Sequence, residues 1–194
     1  MSSRKPRSRT SAADIRDQLV AAGRRILERD GEAGFTVRAV AAEAGVAPMG
    51  VYNHFDGKDG LLDAVVTDGF VDFARSISAT DGDAATRLLK SGRGYREFAH
   101  ANPVLYSRMF SAECQPDVDA ASDAFAVLTE IIRYGQVGGL LQAGDAEVLA
   151  MQVWSCVHGA VSLEMASAQP PHLDAAANYD NVLMLIVHGL RPPG

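Results

Sequence analysis

The stretch from Thr36 to Phe55, TVRAVAAEAGVAPMGVYNHF, leaves the backbone few choices. Thr36 is a hydroxyl residue placed to cap a helix, its oxygen accepting a backbone N–H that the first turn leaves orphaned. Val37, Val40 and Ala41 then recur at helical spacing as one apolar face. Gly45 follows Ala44 where a left-handed backbone ends the helix without a Cβ penalty. Pro48 can open the next helix as its first residue, since it lacks a donor that the helix would not use there. That helix is expected to end near Phe55. Val46, Val51 and Phe55 turn inward, while Pro48, Met49, Gly50, Tyr52, Asn53 and His54 stay on the outer side.

The rest of the chain carries the same 3.6-residue period, and strand-like alternation is nearly absent. Ser11 followed by Asp14 is a capping-box start for a helix with Ile15, Leu19, Ala22 and Ile26 on one face, ending at about Arg29 before Asp30–Gly34. After the Asp56-Gly57 turn a long fourth helix carries Leu61, Leu62, Val65, Val66, Phe70 and Phe73, and residues 79–83 break it. Further helices are expected over 84–101, 103–110, 117 to about 138, 145 to about 168, and 174 to about 190. The fold class is all-α, with about nine helices: a three-helix N-terminal head and a larger C-terminal helical bundle. The expected organisation is a basic disordered arm at 1–10, a head at 11–57 and the bundle at 58–194.

Composition excludes several classes. With 47% hydrophobic and 22% charged residues the chain reads as an ordinary globular protein. No apolar run approaches the roughly 18 residues of a spanning helix, and Asp14, Arg16 and Asp17 interrupt any signal-peptide pattern. A cytoplasmic protein without membrane association is expected. Cys114 and Cys156 make no disulfide framework and no metal spacing. Nothing visible lowers the pKa of either thiol. His100 near Tyr106, and Glu97 with Arg96, carry no catalytic spacing and read as solvated helix faces. No cofactor, no metal and no enzymatic activity are expected.

Net charge is −6, but unevenly spread. Residues 1–60 hold ten Lys/Arg against eight Asp/Glu, and residues 61–194 hold eight against sixteen. Arg4, Lys5, Arg7 and Arg9 stand together without an acid. One end therefore suits a polyanion and the other does not. Two short helices around a tight turn are what a helix-turn-helix needs to place its second helix in the major groove of double-stranded DNA. The small outer residues let that backbone approach base edges. Tyr52 and His54 can donate to phosphates, and Asn53 can read an adenine edge or bind a phosphate.

Continued through Lys58 and Leu61-Leu62, this stretch resembles the N-terminal domain of the tetracycline-repressor (TetR) family. The matching residues are Phe35-Thr36-Val37-Arg38, Ala41-x-Glu43-Ala44-Gly45-Val46, Val51-Tyr52-x-His54-Phe55, Lys58 and Leu61-Leu62. The resemblance implies that Thr36 and Arg38 contact the DNA backbone, that Pro48, Met49, Gly50 and Asn53 face the groove, and that Tyr52, His54 and Lys58 hold phosphates. The arm of Arg4, Lys5, Arg7 and Arg9 would follow the neighbouring groove. This copy departs at Ala47, where the family commonly has Ser or Thr, a loss of about 1 kcal/mol of capping. Gly50 and Gly60 weaken their helices locally, and Asn53 leaves the operator sequence open.

The same resemblance implies a C-terminal domain that binds a small molecule and dimerises. Candidate ligand residues are Phe98, Tyr106, Phe110, Phe125, Met151, Trp154 and His158. Trp154 and His158 lie four apart on one helix face beside Gly159, similar to the WHG type of TetR C-terminal domain. His158 reads equally as a ligand handle and as a core histidine bonded to a carbonyl. In the family the last two helices form the dimer interface. Ser155 and Ser162, with Leu183, Ile186 and Leu190, are the candidates here. The implied protein is a homodimeric, ligand-responsive regulator, by family default a repressor. It would bind a palindromic operator and be released by a small apolar or amphipathic effector. Two other readings stay open: an all-α ligand carrier or enzyme with a vestigial helix-turn-helix, and a ligand-independent regulator controlled by a protein partner.

Overall fold

In the computed structural model, which describes residues 11–112 and 114–193, the described residues form nine α-helices and no strand. They are α1 (Ala12–Gly34), α2 (Val37–Ala44), α3 (Met49–Tyr52), α4 (Gly57–Ile77), α5 (Ala84–Ala101), α6 (Pro103–Met109), α7 (Val118–Val137), α8 (Ala146–Met165) and α9 (Ala175–Gly189). The chain divides into two compact units, Met1–Val66 and Thr67–Gly194. The division falls inside α4, beyond the 57/58 boundary expected from the turn at Asp56-Gly57. A helix has no reason to stop where the packing partners of its side chains change. No helix among the described residues is long and apolar enough to cross a membrane.

In the first unit Ser11 and Asp14 form the reciprocal capping box that starts α1. The helix does not end at Arg29. It breaks at Gly31, whose φ of 67° and ψ of −170° suit glycine, and resumes for one turn to Gly34. That extra turn delivers Phe35, fully buried, into the core with Leu19, Leu27, Val40, Val51, Leu61 and Val65. Gly23 lets the chain close: a methyl added there would lie 2.8 Å from Val65 and 3.2 Å from the Phe35 ring. Glu43 on α2 bridges Arg25 at 2.9 Å and Arg29 at 3.3 Å on α1.

The second unit contains the C-terminal part of α4 and α5 to α9. Asp83, Asp117, Asp145 and Asp174 cap α5, α7, α8 and α9, each carboxylate accepting backbone N–H groups of the first turn. α7 and α9 each pack against both α5 and α8. Arg96 on α5 grips Glu164 on α8 with two hydrogen bonds, and His100 approaches the same carboxylate at 3.2 Å. Arg96 is thus tied across the bundle rather than to its neighbour Glu97.

The Arg96 hydrogen bonds, helped by His100, hold the Glu164 carboxyl below its ordinary range. A depressed folded-state pKa makes this contribution complete above the unfolded value of about 4.3 and lost as pH falls through the folded value. Glu164→Gln is expected to lower stability by about 1 kcal/mol at pH 7, with the gap to the parent protein closing below about pH 4. Urea midpoints measured from pH 3 to 7 check this. A gap that stays constant over that range would contradict it.

Candidate nucleic-acid interface and internal cavity

The outer face of the first unit is built from α2, the turn and α3. Thr36 caps α2 by accepting the Ala39 N–H at 3.1 Å, which leaves its own O–H free to donate outward. Gly45 ends α2 in the left-handed conformation, φ 69°, and Val46 N–H returns to the Ala41 carbonyl at 2.9 Å. Pro48 stands at the N-cap of α3 with helical dihedrals and no side-chain cap, one position before the first helical residue. α3 itself is shorter than expected. It ends at Tyr52, and the Asn53 N–H to Met49, His54 N–H to Val51 and Phe55 N–H to Val51 carbonyl bonds, at 3.1, 3.0 and 2.8 Å, carry the turn onward. The uncapped start at Ala47 and the central Gly50 give this helix little intrinsic support.

Val51 is fully buried and pins α3 to the core. Val46 and Phe55, expected inside, are half-buried. The Arg16 guanidinium lies 5.3 Å from the centroid of the Phe55 ring. Met49 is 66% exposed and Tyr52 58%, large fractions for apolar and aromatic side chains. Thr36, Arg38, Pro48, Asn53 and Lys58 are also exposed, and Gly50 and His54 are half-buried. Arg4, Lys5, Arg7 and Arg9 lie outside the described residues.

The second unit contains a half-open cavity of about 1090 Å³. Its wall includes Phe70 and Phe73 of α4, Leu88, Ser91 and Tyr95 of α5, Phe110, Phe125 and Thr129 of α7, Met151, Trp154 and Val157 of α8, and Leu183 and Ile186 of α9, Phe110 standing just after α6. Of the candidate ligand residues, Phe110, Phe125, Met151 and Trp154 stand on this wall. Phe98 does not: it is buried against Phe73, ring centroids 5.2 Å apart. Tyr106 and His158 sit behind the wall in a hydrogen-bonded cluster.

The Tyr95 hydroxyl is the centre of that cluster. It lies 2.9 Å from His158 Nδ1 and 3.1 Å from the Tyr106 hydroxyl, and accepts the Trp154 Nε1–H at 3.3 Å. Tyr106 is also 3.0 Å from His158 Nδ1. Burial pushes both phenols up and the imidazole down, so the neutral forms dominate. His158 is therefore tied to tyrosine hydroxyls, not to a backbone carbonyl. Tyr95, Phe70, Phe73, Ser91 and Thr129 were not candidates from sequence. The inward period Leu88, Ser91, Tyr95 of α5 was the one available signal.

The candidate interface residues separate. Ser155 is exposed and Ser162 half-buried. Leu183 and Leu190 are 3% and 6% exposed, so they belong to the chain's own core and leave little surface for a partner. Ile186 is half-buried and lines the cavity. The apolar residues that α8 and α9 do expose include Val148, Leu163, Met184 and Leu185. Cys114 is buried and Cys156 exposed, both free. Among the described residues no group of three or more metal-ligating side chains gathers.

A tight helix–turn–helix on a three-helix core, in a chain that also carries a helical unit with an aromatic cavity, defines the class as a helix-turn-helix DNA-binding regulator. Residues 19–65 match the bacterial regulatory proteins of the tetR family, and residues 88–185 match the tetracyclin repressor-like C-terminal domain. The chain belongs to the TetR family of transcriptional regulators. It is 28% identical over 184 residues to an uncharacterized HTH-type transcriptional regulator of Mycobacterium tuberculosis, covering 91% of this chain and 81% of that one. It is 31% identical over 81 residues to the HTH-type transcriptional repressor DhaR of Mycobacterium sp. strain GP1, covering 42% of this chain and 41% of that one. Its fold is similar to that of a protein with unknown function from Rhodococcus sp. RHA1, with TM-score 0.80 and 24% identity over 97% of this chain and 100% of that one.

Proposed function

We propose that this regulator is a ligand-responsive repressor that binds a palindromic operator as a homodimer and leaves it when a small molecule fills the cavity of the second unit. The observation that carries the reading is the cavity itself, about 1090 Å³ with an aromatic wall. A largely apolar pocket of that size with a few polar groups on its wall has the form of a small-molecule site. Asn53, Met49, Pro48 and Gly50 are the groove-facing set. Thr36, Arg38, Tyr52, His54 and Lys58 position the head on phosphates, with the arm of Arg4, Lys5, Arg7 and Arg9 beside it. Repression is favoured by the partial likeness to a transcriptional repressor.

Dimerisation is supported by the apolar residues that α8 and α9 leave exposed, with the small Ser155 also exposed on α8. Two-fold symmetry then asks for half-sites one helical turn apart, about 34–36 Å. The effector acts by binding better to the arrangement that does not fit that spacing, and DNA weakens effector binding by the same factor. Retardation of DNA from upstream of the protein's own gene tests the reading. A complex that weakens steeply with salt and shows two-fold footprint symmetry is expected. Absence of any salt-dependent complex, or a monomeric footprint, overturns it.

A further inference from the structure

Resting on the reading of the cavity as the effector site, we infer that the effector is an uncharged, ring-bearing alcohol, and that Ser91 and Thr129 recognise its hydroxyl. Ser91 and Thr129 are the two buried polar residues of the described core, 6% and 3% exposed, and both stand on the cavity wall. They come from α5 and α7, which pack together. Hydroxyls on an apolar wall are costly to cover unless the ligand that covers them hydrogen-bonds to them. The Ser91 hydroxyl makes no hydrogen bond among the described residues and is open to the pocket. Thr129 donates to the Phe125 carbonyl at 3.3 Å and keeps its lone pairs. Together they offer one free donor and several acceptors, which a hydroxyl matches because it donates and accepts at once. A ketone would satisfy only the donor.

The other polar groups deep in the wall are spent. The Tyr95 hydroxyl is committed to His158, Tyr106 and Trp154. The charged residues of the wall, Arg133 and Glu147, are half or more exposed. They face each other at 3.4 Å, and Arg133 also pairs with Glu130 at 2.6 Å. Among the described residues no unpaired cation is therefore left on the wall to compensate a buried carboxylate, and a carboxylate without a partner pays its full desolvation. The aromatic rings along the wall favour flat ring systems over alkyl chains.

Trp154 is the one tryptophan of the chain and stands on the wall, so energy transfer from its emission to a pyrene reports occupancy. Three probes are titrated into the full-length protein: 1-pyrenebutanol, 1-butylpyrene and 1-pyrenebutyrate. The alcohol is expected to bind at least tenfold more tightly than the carboxylate. The double variant Ser91→Ala, Thr129→Val is expected to weaken the alcohol about fivefold and to leave the hydrocarbon unchanged. Neither substitution adds bulk, and the hydrocarbon serves as the control for an intact cavity. Carboxylate binding equal to or tighter than the alcohol would point to an anchor at Arg133 and overturn the class while keeping the site. Equal loss for all three probes overturns the role of the two hydroxyls. No quenching by any probe removes the effector-site reading itself.

Discussion

Gly94→Ala is expected to destabilise the C-terminal unit by roughly 3 kcal/mol, the upper end of what overpacking costs. Gly94 lies in the middle of α5, where helix propensity alone would make alanine the better residue by about 1 kcal/mol. The tertiary contact reverses the sign. A methyl group at Gly94 would overlap the Ser76 carbonyl oxygen and lie 2.9 Å from its carbonyl carbon. Both are backbone atoms near the C-terminal end of α4, so no rotamer can relieve the clash. Either α5 moves away from Ser76 or the end of α4 unwinds, and each exposes aromatic surface around Phe73 and Tyr95, whose rings meet edge to face at 4.9 Å. The measurement is urea unfolding followed by the emission of Trp154, the chain's one tryptophan, which lies in this unit. Arg93→Ala, on the exposed side of the same helix, is the control and is expected to change stability by less than about 0.5 kcal/mol. Equal midpoints for Gly94→Ala and the parent would show that the close approach is not tight.

Tyr52→Ala is expected to weaken operator binding by at least about tenfold, or 1.4 kcal/mol, while leaving the unfolding midpoint within about 0.5 kcal/mol of the parent. Tyr52 is 58% exposed, so little of its side chain supports the fold. Removing it takes away a hydrogen bond and ring contact but no Lys or Arg cation. The slope of log affinity against log salt should therefore stay as it is. Lys58→Ala is the contrasting case. Lys58 is exposed on the first turn of α4, and loss of one phosphate contact should lower that slope by about 1 per subunit. Retardation assays across a salt series separate the two. A Tyr52→Ala protein that binds as well as the parent would take α3 out of the interface. A slope unchanged by Lys58→Ala would take the start of α4 out.

The features legible in advance were those whose causes lie within a few residues. The Ser11–Asp14 box, the Thr36 cap and the left-handed Gly45 are each local hydrogen-bonding choices. Where expectation and structure part, a packing partner intervenes. α1 resumes past Gly31 because Phe35 has a buried place to fill. Leu183 and Leu190 carry the right helical period for an interface, but period alone does not say which neighbour an apolar face meets. Phe98 and Phe110 look alike in sequence, yet one is core and the other cavity wall.

The sequence by itself determined an all-α chain, its helix starts, and the helix-turn-helix from Thr36 onward with its exposed Tyr52 and Asn53. Propensity, capping and turn chemistry act over one or two turns and are written in neighbouring residues. Only the tertiary structure decided the cavity, the Tyr95–Tyr106–His158–Trp154 cluster, the Arg96–Glu164 tie and the close approach at Gly94. Tyr95 and His158 are separated by 63 residues, and Arg96 and Glu164 by 68. No local rule relates positions so far apart. Their meeting is set by how α5 and α8 pack, and packing is a property of the folded whole.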